Sequence, residues 1–490
     1  MNLSRATLAA LPATIARPRF DPAKVRAGIV HLGFGGFHRA HMARYTHDLM
    51  DRRVDASQWG IVGVGTLPTD VRVREALASQ DALYTLVERQ DKDEAATAIG
   101  SVCRVIFAGE SSQAALDAID DPAIRIVSLT VTENGYCRNA ATRTLDREHP
   151  SIVYDLAHPE QPRSPVGILV EAYRRRMARH ACAFAALSCD NIQHNGVVLR
   201  DAVLALAGWR DQAVADWIAA NASFPCTMVD RITPVTTPAQ VEDFSTRFKV
   251  VDRWPIFCER FRQWVIEDDF VAGRPAWEEV GARFVADVTP YEFMKLRLLN
   301  ASHLAIAGLG RLMGFRYIDE TIREPSLRSY MRALMDRETG PTLRLVPGFD
   351  LDTYKRQLIE RFGNVAIKDT VDRINADAPV SYLLDPIRDR LAAGAKVDLL
   401  ALALAAWMRR VRGVDETGNR ISVVHPMADL LRERASAGGP DPLPLLSIRK
   451  LFGDLIDSGA FVATLKAWLT SLHANGAAAT LSNARRKLVF

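Results

Sequence analysis

GIVHLGFGGFHRAH, residues 28–41, is the stretch that decides the fold. A short apolar run, residues 28–32, ends in Gly33-Phe-Gly-Gly-Phe-His-Arg-Ala-His41, and a helical pattern follows to about Asp51. Strand, glycine turn and helix, in that order, are what make a Gly-x-Gly useful. Glycines permit a tight turn and let the backbone approach a pyrophosphate. The helix N-terminus behind them offers N–H groups and a positive dipole end. Gly33, Phe34, Gly35, Gly36, Phe37, His38 and Arg39 are therefore the candidates for holding a dinucleotide. The fingerprint is imperfect, because its third glycine falls on His38. Taken alone, the motif is also compatible with an ordinary strand-to-helix turn.

Working outward, WGIVGV (59–64) reads as a second strand, followed by GTLPTD (65–70). An acid at the end of the second strand can accept both adenosine ribose hydroxyls and so favours NAD over NADP. Asp70 is that candidate, and its alternative role is to cap the next helix. Arg72 and Arg74 close behind it leave room for some NADP use. AIRIVSLTV (123–131), ending in Thr132-Glu133-Asn134-Gly135, and ACAFAALS (181–188), ending in Cys189-Asp190-Asn191, read as further strands. Ligands of open parallel sheets bind outside the carboxyl ends of the strands, which singles out Glu133 and Asn191. SFPCTMVDRITP (223–234) then brings Asp230 and Arg231, which on their own read as a structural ion pair or turn. The fold class is α/β: a Rossmann-type parallel-sheet domain over 1–288, then a mostly helical domain over 289–490. In the latter, apolar residues recur at three and four spacing through 296–313, 343–362, 397–411 and 446–472.

YEFMKLRLLNASH (291–303) opens the helical part. Wound at about 100° per residue with Lys295 at zero, Glu292 falls at about 60°, His303 at about 80° and Asn300 at about 140°. Four polar side chains then share one side of a helix that packs through its other residues. Neutral lysine can remove a hydroxyl proton, asparagine can hold the developing alkoxide, and histidine can orient either. Polar helix sides are in general solvated surface. Tyr291-x-x-x-Lys295 also matches the Tyr/Lys pair of short-chain dehydrogenases, but no serine lies in the dozen residues before it, and it falls too late in the chain for that fold.

The bulk properties narrow the function. The chain has 490 residues, 48% of them hydrophobic, which is ample for two or three domains. A net charge of +4 with no basic run gives no case for nucleic acid or a membrane surface, and no run of 18 apolar residues appears. The six cysteines form no CxxC, and HExxH is absent, so no metal site is expected and the thiols read as packed small hydrophobes of a cytoplasmic protein. The first twenty residues hold arginines and no acid, faintly like a transit peptide, but Pro12 breaks the apolar part. A surface arm leading into the first strand is expected there.

Together GIVHLGFGGFHRAH, WGIVGVGTLPTD, SLTVTENGY, SCDNIQHNG, MVDRITP, QWVIEDDF, VTPYEFMKLRLLNASH and RFGNVAIKDTVDRI resemble the polyol-specific long-chain dehydrogenases/reductases, in family order from about residue 25 to the C-terminus. The resemblance implies a Rossmann-type domain for NAD and a helical domain closing a substrate cleft. It implies metal-independent oxidation of a sugar alcohol at C2 to the ketose, mannitol to fructose or a related polyol such as arabinitol or sorbitol, by a monomer or weak oligomer. The family's general base maps onto Lys295 and its carbonyl-polarising asparagines onto Asn191 and Asn300. Its orienting histidine maps onto His303, its proton-relaying acid onto Glu292, and its substrate-hydroxyl contacts onto Asp230 and Arg373. A lysine base must be neutral near pH 7, whereas free lysine titrates at about 10.4; burial and nearby positive charge lower that value. The chain departs from the family at 375–381, NADAPVS, where many members carry a lysine, and at Glu259-Arg-Phe261. A hexuronate reductase of the same fold, and a relative that binds the coenzyme without catalysis, are the alternatives.

Overall fold

The apolar run before the glycine turn forms the central strand of a parallel sheet in the computed structural model, which describes residues 1–139 and 142–490. The five strands are β1 Ala27–Leu32, β2 Gly60–Gly65, β3 Val102–Phe107, β4 Ile126–Leu129 and β5 Ala185–Ser188. Their spatial order is β3-β2-β1-β4-β5 and every pairing is parallel. Alternate residues face opposite ways, as the period of a strand requires. Val30, Leu32, Val62, Val64, Val127 and Leu129 pack with Leu116, Leu169 and Val203 of the helices Gln113–Ile119, Pro165–Ala178 and Asn195–Arg210. Ile29, Ile61, Ile126 and Leu187 pack with Tyr45 and Leu49 of the helix Met42–Arg52 and with Trp264 and Trp277. Because both faces are covered, β1, β2, β4 and β5 are buried almost throughout and mostly apolar rather than alternating. After β3 the chain crosses to the other side of β1, and this reversal between β1 and β4 is where an open sheet offers its crevice.

Two smaller sheets complete the first unit. The hairpin Tyr84–Gln90 and Asp93–Ile99 is flanked by Ile256–Glu259 and by Ile15–Ala16. The N-terminal segment is therefore more than a surface arm: it supplies an edge strand and buries Leu3, Leu11 and Ile15. Thr227–Asp230, Gln263–Glu267 and Arg283–Val285 form the third sheet.

The chain divides into two compact units, Met1–Val288 and Thr289–Phe490. Every regular element described in the second unit is a helix. Its centre is the helix Ala301–Leu312, buried at every position except Arg311. Leu304 and Leu309 pack in one core with Leu400 and Leu404 of the helix Asp398–Arg410 and with Leu465 and Leu469 of Gly459–Leu488. A helix apolar all round belongs inside a core, and its immobility fixes the polar residues immediately before it. Among the described residues no helix is long and apolar enough to cross a membrane.

Candidate active site

The glycine loop after β1 is held by backbone bonds. Gly33 and Phe34 N–H both donate to the Val64 carbonyl of β2, at 2.9 and 3.1 Å. Gly33 lies at φ +85°, and a Cβ there would fall 2.2 Å from the Thr130 carbonyl oxygen, so glycine is required. Gly35 is exposed, and a Cβ on it would meet only the Gly33 carbonyl oxygen at 3.8 Å, so the backbone is open there to a bulky anion. The helix Gly36–Ala40 starts behind it, breaks at His41 and continues as Met42–Arg52.

Three members of the loop motif have buried side chains. Phe34 is buried against Gly63. His38 is buried with its ring stacked on His31 of β1, centroids 3.4 Å apart, and burial and the neighbouring imidazole hold it well below the usual histidine range. Arg39 is buried, donates to the Trp254 carbonyl at 2.9 Å, and is pushed down to about 10 by burial. The third glycine of the fingerprint normally lets helix and strand approach closely. Here two flat rings packed face to face fill that place. The side chains of Phe34, His38 and Arg39 therefore pack behind the loop, while Gly33, Gly35, Gly36 and Phe37 are its accessible part.

Asp70 sits at the carboxyl end of β2. One carboxylate oxygen accepts from both Thr66 and Leu67 N–H at 2.9 Å. The side chain does not cap the helix Val71–Ala78; it shapes the turn that leads to it.

At the carboxyl ends of β4 and β5, the loops carrying Glu133 and Asn191 are joined by a residue sequence analysis passed over. Buried Asp190 accepts from Val131 N–H at 3.2 Å, Thr132 N–H at 2.8 Å and the Tyr136 hydroxyl at 2.8 Å. Burial pushes its carboxyl up, against the pull of those three donors. Thr132 is held at φ 60°, a conformation that costs a β-branched residue about 1–3 kcal/mol. Asn195, fully buried, donates to the Asp190 and Thr227 carbonyls and accepts from Thr227 N–H, all at 2.9 Å. Asn191 and Glu133 are exposed on this braced rim, and Asp230 is buried at the end of Thr227–Asp230. Arg231 is structural: it bonds the Glu259 and Ala40 carbonyls and pairs with Glu88.

In the second unit the helix Thr289–Met294 runs into a six-residue π-helix, Lys295–Asn300, before Ala301–Leu312 resumes as α. Ala301 N–H donates to the Leu296 carbonyl, five residues back. The uniform 100° winding therefore fails here: residues five apart come into line, and Asn300 swings toward the side of Lys295. Glu292, Lys295, Asn300 and His303 are all buried, so this polar side is not the solvated surface of the ordinary case. π-Turns recur at functional sites because they re-aim side chains at a cost that packing must cover. Tyr291 donates its hydroxyl to the Pro347 carbonyl at 3.0 Å.

The His303 ring stacks on Phe362, centroids 4.2 Å apart, and its Nε2 lies 4.0 Å from Asp369 Oδ2. Arg373 is gripped by the same carboxylate through Nε at 2.6 Å and a terminal nitrogen at 2.5 Å. In the segment that departs from the family, Asn375 is buried and donates to the Ala307 and Val371 carbonyls. Among the described residues no three His, Cys, Asp or Glu side chains converge as a metal site would need.

Residues 27–279 match the family described as the mannitol dehydrogenase Rossmann domain, and residues 287–473 the mannitol dehydrogenase C-terminal domain. The chain is 44% identical over 471 residues to D-mannonate oxidoreductase of Escherichia coli, covering 94% of this chain and 96% of that protein. It is 41% identical to mannitol 2-dehydrogenase of Phaeosphaeria nodorum, covering 95% and 82%. Among solved structures it resembles Pseudomonas fluorescens mannitol 2-dehydrogenase in ternary complex with NAD and D-mannitol, with a TM-score of 0.91 and 41% identity, covering 99% of this chain and all of that one.

Proposed function

The chain belongs to the mannitol dehydrogenase family, and from that premise we propose that it is an NAD-dependent polyol dehydrogenase that oxidises a sugar alcohol at C2 to the ketose, with Lys295 as general base and without a metal. The observation that carries this reading is the buried set Glu292, Lys295, Asn300 and His303 on one helix widened by a π-turn. An amine in hydrogen-bond reach of a hydroxyl, backed by an amide donor, is the equipment that alcohol oxidation asks of a protein.

Bound NAD supplies the hydride acceptor. The open backbone at Gly35 and the start of the helix behind it suit its pyrophosphate, and Asp70 suits its ribose. Lys295 takes the proton of the C2 hydroxyl. Asn300, with Asn191 as the second donor, holds the oxygen while it carries negative charge. His303 orients the hydroxyl, and Glu292 passes the proton onward from Lys295. Asp230 and Arg373 hold the other hydroxyls of the substrate.

Asp70→Ala is expected to lower the NAD-over-NADP ratio of kcat/KM at least about tenfold, as befits the loss of a charged hydrogen bond of about 1.5–3 kcal/mol. Steady-state kinetics with both coenzymes measure it, and an unchanged ratio moves the role to another residue.

The similarity to D-mannonate oxidoreductase favours a second reading, in which the substrate carries a carboxylate. A screen separates the two: NADH with fructose, xylulose, ribulose, fructuronate and tagaturonate, each repeated with excess chelator. The proposal expects turnover of a neutral ketose that survives chelation. Turnover of the uronates alone establishes the second reading, and activity lost to EDTA and restored by zinc removes the lysine mechanism.

A further inference from the structure

We propose that Asp369 is a positioning residue for this reaction: one buried carboxylate that holds Arg373 in a fork and sets the charge facing His303, so that the group at the reacting hydroxyl and the group at the distal hydroxyls are coupled through it. The proposal rests on the function assigned above to the Lys295 helix.

Asp369 is 3% exposed, where a carboxylate is costly unless it is paired. It has little freedom to adapt. Its N–H donates to the Ile367 carbonyl, its carbonyl accepts from Ile318 N–H, and the next residue, Thr370, caps the helix Val371–Asp377 by accepting Arg373 N–H. Both oxygens are committed to Arg373 in a fork, a geometry that fixes orientation as well as distance. The Arg373 side chain nonetheless remains 43% exposed, so the fork holds it at an accessible place. Oδ2 also lies 4.0 Å from His303 Nε2, while Phe362 covers a face of that ring. At 4.0 Å the carboxylate is beyond hydrogen-bond reach of Nε2, but its charge stabilises the imidazolium when it forms. Lys295 and Glu292 precede His303 in the same helical run, Arg373 pairs with Asp369, and buried Arg361 adjoins Phe362 in sequence. Asparagine at 369 would offer Arg373 one acceptor in place of two and present His303 with no charge.

The test follows His303 directly, by NMR of protein carrying ¹³C-labelled histidine, with the resonance assigned by its absence in His303→Gln. Asp369→Asn is expected to lower the His303 titration midpoint by about one pH unit, as loss of an opposite charge at this distance does. In the same variant kcat/KM should fall at least tenfold, with KM raised through Arg373 and the acid limb of the kcat profile moved along with His303. Asp369→Glu, which keeps the charge, should restore most of each effect. A folded Asp369→Asn whose His303 midpoint and pH profile match wild type overturns the proposal. Should that variant not fold, Arg373→Gln reads the same coupling from the other side: the uncompensated Asp369 should raise the His303 midpoint, and an unmoved midpoint overturns the proposal equally. The NMR titration needs no substrate, so failure of wild type to turn over any polyol or ketose would count against the assigned reaction and not against the coupling.

Discussion

Replacing Lys295 by alanine is expected to lower turnover at least about 100-fold, the low end for losing a positioned proton-transfer group. Affinity for NADH changes little, because the glycine loop and Asp70 belong to the other unit of the chain. The size of the effect follows from the place of the residue: Lys295 is buried on a helix whose continuation, Ala301–Leu312, is buried in the core. A small exogenous amine should partly restore oxidation by filling the vacated space. If Lys295 were only a packed helix residue, Lys295→Ala would lose stability and keep its rate. Steady-state kinetics beside a thermal melt tell the two apart.

Asn300→Ala is expected to cost on the order of 3 kcal/mol in the chemical step, about 10²–10³ in kcat, as removal of one preorganised donor to a developing oxyanion does. KM should move far less, because the interaction strengthens only as charge builds on the oxygen. Asn300→Gln should not rescue, since the donor would be carried one methylene too far from a π-turn that sets its aim. A raised KM with kcat unchanged would show Asn300 to be a ground-state contact instead.

The sheet was legible where physics leaves a local trace. β1, β2, β4 and β5 are buried on both faces and read as apolar runs ending at glycines or polar turns. β3, at the edge, carries Arg104 in its middle and only one fully buried position, Val102, so it left no such run. The hairpin Tyr84–Gln90 and Asp93–Ile99 escaped for a related reason: its second strand begins with three exposed residues. The helical half announced itself through its three-and-four spacing, but the π-turn at Lys295–Asn300 did not. A periodicity argument assumes one pitch, and whether a helix absorbs an extra residue per turn is settled by what packs around it.

The candidate site was legible as a set of residue types and illegible as a set of directions. The sequence order that places Phe34, His38 and Arg39 in the glycine motif says nothing of which way they point, and the structure buries all three. Asp190, Asn195 and Asp369 each look like a polar residue in a loop. Their importance lies in burial and in partners far along the chain, such as Thr227 for Asn195 and His303 for Asp369, which only the tertiary fold supplies.

The most direct test of the central claim, that Lys295 is the general acid–base, is kcat against pH in both reaction directions for wild type and Lys295→Ala. Wild-type oxidation should fall as pH drops and the lysine takes up its proton, while reduction should fall as pH rises and the proton donor is lost. In Lys295→Ala both limbs should flatten at a rate at least about 100-fold lower. Profiles of wild-type shape and height in the alanine variant would contradict the account.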